Sequence, residues 1–197
     1  MSAKNPEWYE LPKKSWIELN SEGTWDSFRD SQRQKLYDAE DRFRNRFREQ
    51  NPKFSSIEEI SQYVNKLAKS AWAIKRWGSL EHDIIVKEGK FGTGGSAKRY
   101  GLIITLSQWG WNKVVVLHEL AHLFSYYGTS HGRHFARTFL ELIEHEMGPD
   151  ARKALKEAYK CHGVKSNPIP QYSEETKTKM RLRGHTLIKQ LQRSNFI

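Results

Sequence analysis

Two histidines and one glutamate are the residues whose types and spacing most clearly predict chemistry in this chain. His118, Glu119 and His122 form the pattern His-Glu-x-x-His inside an otherwise apolar run at 114–124. Residues four apart on a helix differ by about 40° in azimuth and about 6 Å in rise, so both imidazoles can reach one metal ion. Burying these polar side chains without a partner would be costly, and a metal supplies one. The pattern therefore predicts a metal site in which Glu119 takes a proton from metal-bound water.

A catalytic zinc site needs a third protein ligand and leaves one position open for water. His131 is the favoured candidate, because the short Gly-Thr-Ser segment at 128–130 would let the chain turn back toward the first pair. His134 lies one helical turn further along. It is a second candidate, either as the ligand or as a donor to a developing oxyanion.

Glu141 competes with these histidines for the same role. It follows His122 by 19 residues, a spacing similar to that of the glutamate ligand in thermolysin-related aminopeptidases. The residues around it, Phe-Leu-Glu-Leu, lack the motif that those enzymes carry there. His145 is interpreted as a surface histidine of a helix. From the residues alone the third ligand stays open between His131, His134 and Glu141, with His131 favoured.

The spacing of apolar and helix-breaking residues predicts the elements that position these side chains. Helices are expected over 26–50, from Ser55 or Ser56 to Gly78, from near Asn112, over 131–147 and over 150–161. Strands are expected at 82–88 and 99–107, joined through the glycines of 89–95 as a long antiparallel hairpin. The predicted fold class is α+β, with N-terminal helices, a small antiparallel sheet and the HExxH helix. The predicted parts are an N-terminal helical region (1–78), a metallohydrolase core (79–163) and a basic tail (164–197).

Composition limits the classes of protein to which the chain could belong. Its 197 residues include seven Trp, which favours a packed domain over a disordered chain. The only cysteine, Cys161, excludes an intramolecular disulfide and a zinc site built on several thiolates. The first residues contain no apolar signal region, and the longest apolar runs are too short to span a bilayer. We therefore expect a cytoplasmic protein without a membrane partner.

The formal net charge of +10 is concentrated at one end of the chain. Residues 1–150 hold 22 basic and 20 acidic side chains, whereas residues 151–197 hold 11 basic and 3 acidic ones. A basic segment of this kind can neutralise the phosphates of a nucleic acid, so DNA is an expected partner of the tail. The alternative interpretation is a solvated terminal arm that aids solubility.

The motifs together resemble a known family. The run Ile103–Ser107, the run Val115–His122 and the element His131-Gly132-x-x-Phe135 are similar to the SprT-like zinc metallopeptidase domain. They are more similar still to the compact HExxH metallohydrolases of actinobacteria and their phages. The resemblance covers roughly residues 80–165, and it implies a zincin-like fold, a bound zinc ion and His131 as the third ligand. Two departures are the insert of only eight residues between His122 and His131 and the missing Cys-rich zinc ribbon.

The predicted function is therefore a zinc-dependent metallopeptidase that acts on a protein or peptide substrate. The candidates for oxyanion contacts are Tyr126, Tyr127, Arg133 and His134. The strand around 100–107 is expected to form the edge of the cleft, where an extended peptide could pair with it. The alternative function is a nucleic-acid-associated protein whose tail binds DNA, with or without protease activity on DNA-bound proteins. A catalytically silent zinc domain is a third hypothesis, against which the intact Glu119 argues.

Deleting residues 164–197 is expected to weaken the binding of DNA, because this segment holds seven basic and only two acidic side chains and so carries half of the net charge of +10. The plot of log affinity against log salt should become shallower by about 0.9 for each phosphate contact that is lost. Fluorescence anisotropy of a labelled duplex at two salt concentrations measures both quantities. An affinity and a salt dependence that are unchanged by the deletion would exclude the tail as the DNA contact.

Overall fold

The computed structural model describes residues 30, 32–80, 82–90, 94–98, 101–125 and 131–166. Within these ranges the protein is α+β, as predicted, with six α-helices and one three-stranded sheet. The elements are α1 (Arg33–Arg46), α2 (Ile57–Ala68), α3 (Ala71–Trp77), β1 (Ile85–Glu88), β2 (Gly95–Lys98), β3 (Ile103–Leu106), α4 (Lys113–Phe124), α5 (Arg133–Met147) and α6 (Pro149–His162). None of the helices in these ranges has the length and apolar character needed to cross a membrane.

The N-terminal helices differ from the prediction at one break. The helix predicted from Ser55 or Ser56 to Gly78 is in fact two helices, α2 and α3. Ser56 caps α2 by accepting a hydrogen bond from the Glu59 amide at 3.2 Å, and Ser70 caps α3 by accepting one from the Ala73 amide at 3.1 Å. Because a serine cap satisfies amides that have no partner within a helix, Ser70 starts a new helix where the apolar spacing alone indicates continuation.

The prediction for α1 agrees with the structure where the two can be compared. The helix lies inside the predicted segment 26–50 and ends at Arg46 rather than at Asn51-Pro52. Residues 26–29 and 31 of the predicted helix lie outside the described residues, as do the irregular segment expected over 1–25 and the weakly helical tail expected over 173–193.

The sheet is mixed rather than antiparallel, which corrects the predicted hairpin. β3 lies in the centre, parallel to β1 and antiparallel to β2, with Ile85 opposite Ile103 and Ser96 opposite Thr105. The glycine-rich segment that was expected to be only a link supplies β2 itself. The prediction that β3 forms a free edge for a substrate peptide is also wrong, because both of its sides are already paired.

Two glycines let this part of the chain approach its neighbours closely. A β-carbon on Gly110 would lie 2.0 Å from the Gly94 carbonyl oxygen, and one on Gly95 would lie 2.6 Å from Glu119 Oε1. No other residue fits at such distances without displacing backbone or side chain. The glycines therefore have a packing role that strand periodicity does not reveal.

The helix α4 begins where the sequence predicts, at an asparagine cap. The Asn112 side chain accepts a hydrogen bond from the Val115 amide at 3.1 Å, and the Asn51 side chain accepts one from the Val114 amide at 2.9 Å. Asn51 also donates to the Asn112 side chain at 3.2 Å. The start of α4 is thus attached to the segment that follows α1. Apart from Lys113 and His122, every residue of α4 is buried.

The buried apolar side chains form one cluster that runs from Leu36 in α1 to Val164 after α6. Its largest fully buried members are Phe43, Phe124, Phe135, Phe139 and Tyr159. Because α1 supplies part of this cluster and packs mainly against α6, the N-terminal helix shares a core with α4 and α5. The predicted division of the chain at residues 78 and 163 stays a prediction.

Replacing Ile60 by Ala is expected to lower the free energy of unfolding by about 2–5 kcal/mol, because Ile60 is fully buried in this cluster and its loss leaves a cavity. Ile74→Ala is the matched control, since this isoleucine is 42% exposed and its replacement should change stability by no more than about 0.5 kcal/mol. Urea unfolding followed by circular dichroism measures both. Equal effects of the two substitutions would contradict the described packing of α2.

Candidate metal centre

Two imidazoles of α4 converge as the His-Glu-x-x-His spacing predicts. The Nε2 atoms of His118 and His122 lie 3.2 Å apart. Two nitrogen ligands at about 2.0–2.1 Å from a tetrahedral zinc ion are separated by about 3.3 Å. The distance between the two imidazoles therefore fits a shared metal ion without rearrangement of the helix.

His131 joins this pair from a different element. It lies two residues before the start of α5, and its ring centroid is 5.3 Å from that of His118 and 4.8 Å from that of His122. One nitrogen atom from each of the three rings lies within 4.8 Å of the other two. His118 and His131 are buried and His122 is partly buried. The three histidines are close enough to bind a metal ion.

A buried nitrogen of His131 provides a separate test of this fit. Its Nε2 atom has no hydrogen-bond partner among the described residues, although the residue is only 5% exposed. A buried polar atom without a partner costs free energy, and such atoms are rare in native proteins. A metal ion bound by the three rings would supply the partner that this atom lacks.

The competing candidates for the third ligand lie elsewhere. Glu141 accepts hydrogen bonds from the guanidinium groups of Arg76 and Arg137, each at 2.8 Å, and these pairs compensate its charge. His134, in the first turn of α5, is not part of the histidine group, and burial lowers its pKa to about 4. Among the described residues the structure therefore brings His131, rather than Glu141 or His134, to His118 and His122.

The other residues considered in the sequence analysis are His145, Arg133, Tyr126 and Tyr127. His145 stacks on the Trp72 ring at a centroid distance of 3.8 Å, away from the histidine group. Arg133 is exposed at the start of α5. Tyr126 and Tyr127, which were candidates for oxyanion contacts, lie outside the described residues.

Two carboxylates that the sequence analysis did not identify each contact the Nδ1 atom of one histidine. Glu40 in α1 lies 2.8 and 3.0 Å from His118 Nδ1 through its two oxygens. Asp30, three residues before α1, lies 2.9 and 3.2 Å from His131 Nδ1, and it accepts a hydrogen bond from the His131 amide at 3.1 Å. The sequence contains one signal that could have identified Glu40: it falls among the apolar positions of α1, beside Ala39 and close to Leu36 and Phe43.

Glu119 is buried next to the histidines with part of its carboxylate unpaired. It is 4% exposed, and its Oε2 atom has no hydrogen-bond partner among the described residues. Burial raises the pKa of Glu119 to about 7, with His118 opposing the shift and Glu40 adding to it. A carboxyl group with this pKa can both accept and release a proton near neutral pH.

The pKa values of His118 and His131 shift in opposite directions. Burial by itself would lower the pKa of His118, but the charge and hydrogen bond of Glu40 outweigh this effect and raise it. Burial lowers the pKa of His131, although the hydrogen bond that its ring donates to the Asp30 carboxylate opposes this shift. Tyr37 in α1 contacts both rings, at centroid distances of 5.9 Å from His118 and 5.1 Å from His131. These three α1-side groups were not expected from the sequence.

Comparison of the chain with protein-family models, with curated proteins and with solved structures returns no match in any of the three sets. The resemblance to SprT-like peptidases therefore stays a prediction that rests on the motif residues themselves.

Replacing His131 by Ala is expected to abolish tight metal binding, because it removes one of three converging nitrogens. His134→Ala and Glu141→Ala are the matched controls, and both should retain one metal ion per chain. Elemental analysis of protein purified in the presence of zinc and then dialysed measures the stoichiometry. If His131→Ala kept its metal while either control lost it, the assignment of the third ligand would be wrong.

Proposed function

We propose that this protein is a zinc-dependent hydrolase and that it cleaves peptide bonds. The observation that carries the proposal is the convergence of three imidazoles beside a buried, partly unpaired carboxylate. His118, His122 and His131 would hold the ion, and Glu119 would serve as the general base. The donor set suits zinc, since three imidazoles with one open position are typical of catalytic zinc sites.

The ion would supply Lewis acidity, which lowers the pKa of a coordinated water to about 7. The Glu119 carboxylate would transfer the proton. Glu119 Oε2, which has no hydrogen-bond partner among the described residues, would accept the proton from that water as its oxygen adds to the scissile carbonyl carbon, and would pass the proton to the amine that leaves when the C–N bond breaks.

The position of β2 favours an extended peptide as the substrate. β2 pairs with β3 on one side only, and among the described residues no strand covers its other side. Gly95 in β2 lies against the Glu119 carboxylate, so a peptide added at the outer edge of β2 would run close to the proposed base. This assigns to β2 the role that the sequence analysis gave to the strand around 100–107.

The proposal includes a zincin-like fold of the SprT-like type. It is supported by the His-Glu-x-x-His segment on α4, the sheet strand β3 immediately before it and the histidine that precedes α5. A purely structural zinc site usually has four protein ligands and no open position, whereas three histidines converge among the residues that the structure describes. Recruitment to DNA through residues 164–197 stays a prediction, because almost all of this segment lies outside the described residues.

Replacing Glu119 by Gln tests the proposed role of the base. The variant should still bind one zinc ion, because its three imidazoles are intact, while its hydrolytic rate falls by roughly 10²–10⁴-fold. Glu157→Gln is a suitable control, since Glu157 is an exposed residue of α6 that pairs with Arg46. Cleavage of fluorescently labelled casein, together with metal analysis, gives both quantities. A zinc-loaded Glu119→Gln variant with full activity would rule out the mechanism.

A further inference from the structure

We propose that Glu40 and Asp30 are positioning residues of the metal centre: each directs one histidine toward the ion, and together they balance its charge. This inference rests on the proposed zinc site and adds two residues that lie outside its motif. It makes the N-terminal helix α1 a part of the metal centre rather than a separate support.

Glu40 determines which nitrogen of His118 can bind a metal ion. A neutral imidazole carries one N–H group, and its other nitrogen is free to bind a metal. The Glu40 carboxylate lies 2.8 Å from Nδ1, so it accepts the Nδ1–H and leaves the lone pair on Nε2, the atom that faces His122. Glu40 is 5% exposed, which leaves water little access to replace this contact.

Asp30 makes with His131 the same kind of contact that Glu40 makes with His118. Asp30 accepts from Nδ1 at 2.9 Å and from the backbone amide at 3.1 Å, so it holds both the ring and the backbone of the residue. Gln32 adds a hydrogen bond of 2.8 Å to the His131 carbonyl oxygen. The unpartnered Nε2 is therefore turned toward the other two imidazoles by contacts from one short segment.

Charge gives a third, independent argument. A buried dication held by three neutral imidazoles carries two uncompensated positive charges, and burying such a charge is expensive. Glu40 and Asp30 provide one negative charge each within hydrogen-bond distance of a ligand. Carboxylates in this position orient metal-binding histidines, and their loss typically weakens metal affinity 10- to 100-fold.

The arrangement couples metal binding to the docking of α1. The same Gln32 side chain that holds His131 also pairs with the backbone of Lys165, accepting from its amide at 2.9 Å. Displacing the start of α1 would thus release His131, and displacing its middle would release His118. Zinc should in turn stabilise the docked position of α1, because a ligand stabilises the state to which it binds.

The test compares isosteric variants that remove charge but keep shape. Zinc affinity, measured by competition with a chromophoric chelator, should fall about 10- to 100-fold in Glu40→Gln. It should fall less in Asp30→Asn, because the Asp30 side chain is 31% exposed and water can replace part of the contact. Glu49→Gln and Asp38→Asn are the matched controls. Both residues are exposed, and each substitution removes one negative charge, as Glu40→Gln and Asp30→Asn do.

A second measurement separates positioning from a general loss of stability. Glu40→Gln keeps an oxygen that can accept from His118 Nδ1 and removes only the charge, so the increase in melting temperature on adding zinc, measured against the metal-free form of the same variant, should be smaller than in the wild-type protein and in the controls. Zinc affinities of Glu40→Gln and Asp30→Asn equal to those of the controls would overturn the inference. A wild-type protein that binds no zinc would instead overturn the proposed function, and this inference with it.

Discussion

The hydrogen bond between Glu40 and His118 links the chemistry of this protein to its core. Both side chains are buried, and each would be costly to bury without the other. The pair joins α1 to α4 across the apolar cluster that surrounds Phe43 and Phe135. Folding must therefore bring the two helices together in one register, and that register directs Nε2 of His118 toward His122 and His131.

Two further sets of contacts position the side chains of α4, one at the start of the helix and one from β2. Asn112 and Asn51 determine where α4 begins, so the helical phase of His118 and His122 is set relative to the end of α1. On the other side β2 lies against Glu119, where Gly95 leaves space for the carboxylate. The Glu119 carboxylate is thus held between a helix and a strand, in a buried environment that raises its pKa.

Local patterns predicted the helices better than the sheet, for a physical reason. Helical hydrogen bonds and caps lie within a few residues, so Asn112 and the Gly148-Pro149 pair mark real helix ends. Strand pairing joins distant residues, and the parallel alignment of β1 with β3 leaves no local signal. The glycine-rich segment around Gly95 has no periodicity that predicts β2, because Gly95 allows close packing, which periodicity does not detect.

The sequence by itself determined the local chemistry of the site: the two imidazoles on one helical face, the adjacent Glu119 and the small set of candidates for a third ligand. This follows because helix geometry relates residues four apart whatever surrounds them. Only the tertiary structure brought His131 to that pair, placed Arg76 against Glu141, and supplied Glu40 and Asp30. These contacts span from 78 to 101 positions between the carboxylates and their histidines, and no local rule relates residues so far apart in the chain.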